Sequence, residues 1–217
     1  MNIAEQAFKE LFPDKKLNTV RIEYSNKFKA YNANVKYNNR QTVFNLSSVW
    51  KDVSEEIQIG LIQSLLLKIF KDKKRTLNIE LYNQFLKNLP KYASPQKINS
   101  FLEKVFNRVN KKYFHNFMDT PNLVWGRESF HKLGSYEYAS DTITISTVIK
   151  EEQNLLDYVM YHEMLHKKFK FASKNGRNYH HTAEFRREEK KFEDLDAEKK
   201  LTSFLRKKRF KKAFRFF

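Results

Sequence analysis

Apolar residues Phe101, Leu102, Val105, Phe106 and Val109 recur at steps of three and four, a period that predicts a helix over about 98–114. Residues 123–125, 131–138 and 142–146 then read as short strands, the last two split by a turn at Ala139, Ser140 and Asp141. A second helical pattern covers about 152–171, and Glu151 and Glu152 suit its positive end. Asn175 and Gly176 end or follow that helix. Another helix begins near Thr182, whose hydroxyl can cap it.

The first half repeats this order. Shifting the chain by 99 residues lays Ser47-Ser48-Val49-Trp50-Lys51 over Ser146-Thr147-Val148-Ile149-Lys150. Without a gap, Leu66, Lys68, Phe70 and Lys71 fall on Leu165, Lys167, Phe169 and Lys170; one residue of slippage later, Phe85 falls on Phe185. Self-similarity of this kind points to duplication, against chance likeness between two Lys-rich amphipathic helices. Pro90 and Pro95 bracket the best boundary, because two prolines in so short a stretch disfavour helix. The expected layout is a first unit over 1–90, a linker over 91–97, a second unit over 98–198 and a tail over 199–217. The expected class is α+β.

Tyr161-His162-Glu163-Met164-Leu165-His166 places two histidines four apart inside the second helical pattern. On a helix they project from one face, so both imidazoles can reach a single ion. Glu163 then lies near the ion's open position, where it can take a proton from activated water. A surface helix that happens to carry two histidines is the plain alternative. A catalytic zinc takes three protein ligands, and His180 and His181 both follow a loop that lets the chain turn back. In the first half Gln63, Ser64 and Leu67 stand where His162, Glu163 and His166 stand, and Leu81 where His181 does. One zinc per chain is therefore expected. Glu184 either orients a ligand or favours the helix dipole, and His115 and His131 read as structural or exposed.

The segment HEMLHKKFKFASKNGRNYHHTAEF resembles the core of SprT-like metalloproteases, which include the Spartan-type DNA–protein crosslink proteases. The upstream HKLGSYEYASDTITIS is similar to that family's strands, so the likeness covers about residues 98–192. The family runs H-E-x-x-H, a loop, then H-G-x-x-F. Counting back from Phe185 makes His181 the third ligand beside His162 and His166, with Glu163 as general base. The resemblance implies a small zincin-like domain of helix, three-stranded sheet, HExxH helix and supporting helix, and the self-similarity of the first half adds a degenerate copy before it. It implies a zinc peptidase acting on protein or peptide, with an edge strand around 132–138 holding an extended substrate. The family's Gly after the third His is Thr182 here, which puts the local backbone in question.

Charge and composition narrow the rest. The chain has no Cys, which excludes thiolate zinc sites, disulfides and the zinc ribbon many family members append. No early apolar run reads as a signal peptide and none as a membrane span, so the expected location is cytoplasmic. The net charge is +17, and residues 201–217 hold seven Lys or Arg without an acid, interleaved with Phe. Such a tail suits DNA or RNA, while Phe210, Phe214 and Phe217 also make a helix face that can dock on the body or on a membrane surface. Two other readings remain: a nucleic-acid-binding protein with a vestigial metal site, and a zinc hydrolase of a non-peptide substrate.

Overall fold

The computed structural model describes residues 1–15, 19–38, 40–92, 96–174 and 177–213. The centre of the expected linker (93–95), Asn175-Gly176, and Phe214 and Phe217 of the tail lie outside them. The chain divides into two compact units, Met1–Asn88 with Ala172–Tyr179 and Leu89–Phe171 with His180–Phe217.

In the first unit, α1 (Ile3–Leu11) starts at a reciprocal cap in which Asn2 accepts from the Glu5 amide and Glu5 from the Asn2 amide. Strands β1 (Thr19–Ser25), β2 (Ala33–Tyr37) and β3 (Gln41–Ser47) form one sheet in the order β1-β3-β2, with β1 parallel and β2 antiparallel to β3. Helices α2 (Glu55–Phe70) and α3 (Leu77–Asn88) follow. Phe44, Leu46, Trp50, Ile62 and Leu66 are buried between sheet and helices. Each such side chain contributes about 1.5–3 kcal/mol. Gly60 lets α2 and α3 approach closely: a Cβ there would meet the Asn78 carbonyl oxygen at 1.9 Å.

The second unit has α4 (Ser100–Phe114), β4 (Asn122–Gly126), β5 (Gly134–Glu137), β6 (Thr142–Ser146) and α5 (Gln153–Phe169). The hairpin β7 (Ala172–Lys174) and β8 (Arg177–Tyr179) is grouped with the first unit, after which α6 (Ala183–Glu189) and α7 (Ala197–Ala213) return to the second. The sheet order is β4-β6-β5, with β4 parallel and β5 antiparallel to β6, the same pattern as in the first unit. Leu102, Phe106, Ile143, Ile145, Leu156, Met160 and Met164 fill its core. Leu156, Met160 and Met164 recur every four residues, so one face of α5 is core while the turn bearing His162 and His166 stays partly accessible.

Equivalent positions match closely through the central helix. Ser47 and Ser146 both end a third strand and are buried, and Lys71 and Lys170 both take positive φ at a helix C-terminus. Past that point the register differs. Thr76 accepts from the Ile79 amide at the start of α3 as Thr182 accepts from the Phe185 amide at the start of α6. Arg75 therefore precedes the first cap, and Leu81 lies inside α3 instead of opposite His181.

Two elements depart from the expected bounds. The strand expected over 131–138 begins only at Gly134, because the amides of His131 and Lys132 donate to Ser129 Oγ and leave the ladder. The tail is helical from Ala197, and Leu201 and Phe204 pack against the second core, while Phe210 remains exposed. Among the described residues no helix is long and apolar enough to cross a membrane.

Candidate metal centre

His162 and His166 leave α5 one turn apart, and their Nε2 atoms lie 3.2 Å from each other. His181 stands just before the start of α6. Thr182 has φ −70°, and its hydroxyl accepts from the Phe185 amide at 3.2 Å. The position is thus an ordinary extended N-cap and needs no glycine. Buried Phe185 sets its ring 5.2, 4.7 and 4.9 Å from the rings of His162, His166 and His181. That wedge brings His181 Nε2 to 3.3 Å from His162 Nε2.

Candidate ligand atoms of His162, His166 and His181 all fall within 4.8 Å of one another, so the cluster can hold one metal ion. Bonds of about 2.0–2.1 Å in a tetrahedron separate two nitrogens by roughly 3.3 Å, which fits the two Nε2 spacings of 3.2 and 3.3 Å. His180 points elsewhere: its Nδ1 lies 3.5 Å from the Tyr138 hydroxyl. The Tyr138 hydroxyl itself donates to the Lys170 carbonyl at 2.8 Å, fastening the end of α5. His131 is exposed, and His115 caps α4 with positive φ.

A carboxylate stands behind the cluster. His162 Nδ1–H donates to Glu189 Oε1 at 2.6 Å, which leaves Nε2 as the lone-pair nitrogen. Tyr161 and Tyr158 hold the same turn of α6, the first by donating to the Glu188 carbonyl and the second to Glu189. Glu184, the residue named from sequence for such a role, is exposed in the first turn of α6. The signal for Glu189 was its spacing: it follows Phe185 by four residues and so shares its helix face.

Protonation follows these surroundings. Burial, then the neighbouring histidines, pushes His166 down to about 3, and burial and His162 also lower His181. Both are neutral near pH 7 with lone pairs to donate. Burial would lower His162 too, but the Glu189 hydrogen bond and the charges of Glu163 and Glu189 leave it above its ordinary value.

Glu163 is buried beside the cluster, and its Oε2 has no hydrogen-bond partner among the described residues. Burial pushes its carboxyl up to about 7, against His162, Lys132 and the Tyr136 amide, which hold it down. Gly134 on β5 makes the room: a Cβ there would meet Glu163 Oε1 at 2.3 Å. Next along α5, Lys167 reaches Asp141 at 2.6 Å, and the Tyr136 hydroxyl donates to the same carboxylate at 2.6 Å. This buried link fixes the sheet to the histidine-bearing helix. Strand β5 lies at the sheet's edge, and its outer side pairs with no strand among the described residues.

The arrangement suits an ion that leaves room for water beside a proton-accepting carboxyl. The sequence profile of the SprT-like family matches residues 102–203. No curated protein matches the chain. Among solved structures, the metallopeptidase zymogen jannalysin of Methanocaldococcus jannaschii is similar at 17% identity and a TM-score of 0.38, covering 54% of this chain and 96% of that one.

Proposed function

From a SprT-like family domain over residues 102–203, we propose that this chain is a one-zinc peptidase with His162, His166 and His181 as ligands. The observation that carries the reading is the meeting of three imidazoles with a buried carboxyl, one oxygen of which has no partner among the described residues, beside the edge strand β5 of the sheet. Zinc, when bound, supplies a Lewis acid that acidifies water and polarises a carbonyl. Glu163 Oε2 takes the proton from water and returns it to the leaving amine nitrogen. Glu189 holds His162 in the tautomer that keeps Nε2 free. The open side of β5 pairs with an extended peptide and lays its scissile bond across the cluster.

The first unit is proposed as a metal-free relative of the second. Its Gln63 is buried and donates to Glu10 at 2.8 Å, so a closed polar contact stands where His162 stands in the second. The exposed cations Arg206, Lys207, Lys208 and Lys211 on α7 suit DNA or RNA, which would bring the enzyme to nucleic-acid-bound proteins.

Metal analysis and casein cleavage of wild type beside Glu163→Gln test the reading. One zinc per chain in both, with hydrolysis lowered about 10²- to 10⁴-fold in the variant, is expected. A variant within about threefold of wild type would remove the general base. Cleavage of a DNA-binding protein with and without DNA reads the contribution of α7. Activity on small amides or nucleotides alone would favour a non-peptide hydrolase, and none at all a vestigial site.

A further inference from the structure

We propose that the cleft beside the histidine cluster is a subsite for a carboxylate of the substrate, held by Arg186 and Lys190. This deepens the peptidase reading and rests on it. The cleft holds about 450 Å³ and extends from His162 and His181 along α6 to Phe192 and Glu198. That is room for one side chain or a chain end next to a bond lying over the cluster.

Arg186 in α6 and Lys190, the residue that caps its C-terminus, are four residues apart, and both line the cleft. Neither side chain makes an ion pair or hydrogen bond with another described residue. Two of the nearby acids are engaged elsewhere. Glu189 accepts from His162 at 2.6 Å, and Asp194 pairs with Lys200 at 2.7 Å. Glu198 is the remaining acid of the lining. Two unengaged cations against one acid leave a single positive surplus, which matches a monoanion. Arginine's planar fork suits a carboxylate in particular, through two parallel hydrogen bonds. Such a group comes from an Asp or Glu side chain near the scissile bond or from the substrate's own C-terminus.

The test uses matched fluorogenic peptides in which Glu replaces Gln at one position at a time, with one pair differing as C-terminal acid and amide. Wild type should cleave one Glu peptide, or the acid-ended one, about tenfold better in kcat/KM than its neutral twin. The responding pair identifies the source of the carboxylate. The double variant Arg186→Glu, Lys190→Glu should invert the preference toward a Lys peptide. Ratios within twofold for every pair, with cleavage still dependent on Glu163, overturn the subsite and leave the peptidase standing. Where no peptide is cleaved, the peptidase reading falls, and binding to the Glu163→Gln chain by fluorescence anisotropy decides the subsite. A Glu-over-Gln preference lost in Arg186→Gln, Lys190→Gln sustains it, and equal affinities overturn it.

Discussion

A neutral imidazole offers one lone pair, and the contact between His162 Nδ1 and Glu189 decides which nitrogen keeps it. Glu189→Gln keeps an acceptor but loses the anion, so zinc affinity should drop about 10- to 100-fold in a chelator competition. Glu184→Gln should stay within twofold of wild type, and equal losses for both would strip Glu189 of its role. The pair His162 and His166 was legible in the sequence because a four-residue helical step is local. Glu189 was not, because its facing depends on how α6 packs behind Phe185. Glu163 has a pH signature in the metal-free chain. Its carboxyl lies near 4.5 when unfolded and about 7 when folded, so the fold keeps a proton that the open chain has lost between those values. Stability from this group is present below pH 4.5 and is lost as pH rises to 7, a change on the order of 3 kcal/mol. His166 acts oppositely: folded at about 3 and unfolded at 6.5, it loses stability as pH falls through that range. Comparing chelated wild type with Glu163→Gln isolates the first effect. Denaturant melts should show the variant gaining on wild type between pH 4.5 and 7, and a pH-independent difference would contradict the burial of a proton at Glu163.

Packing between elements sets where that carboxyl sits. Strand β5 meets α5 through a residue without a side chain, and Gly134→Ala would drive a methyl into Glu163 Oε1 and Cγ at 2.3 and 2.8 Å. Glu163 must then swing away. The expected result is at least a tenfold loss in kcat/KM with zinc retained and a midpoint shift of only a few degrees. Full activity in the variant would mean that Glu163 works from another rotamer. The element order of the second unit could be read from its hydrophobic period, and α5 and β6 begin and end within two residues of expectation. The start of β5 could not, because a single hydroxyl, Ser129 Oγ, collects two amides that an alternating pattern assigns to a strand. The tail shows the same limit. The sequence offers Phe210 for a docking face, yet Leu201 and Phe204 pack on the core while Phe210 stays exposed, and Lys212 reaches Glu128 at 2.6 Å.

Across the whole molecule, two units share one order of strands and helices, and three histidines that can hold a metal stand in the second. The likeness between the two units was legible through the central helix because core spacing is the same there. It blurs afterwards because Thr76 follows Lys71 closely, whereas the hairpin β7–β8 stands between Lys170 and Thr182. That hairpin gives the ion a second consequence, in the statistics of the chain. A metal on His166 and His181 is a reversible cross-link closing a loop of about 15 residues, and a covalent link of that span removes about 3 kcal/mol of freedom from the open chain. Chelation should therefore open the segment between residues 170 and 180 to proteases well before the rest of the molecule melts, and zinc should close it again. Equal cleavage rates with and without the ion would mean that the loop is held without it.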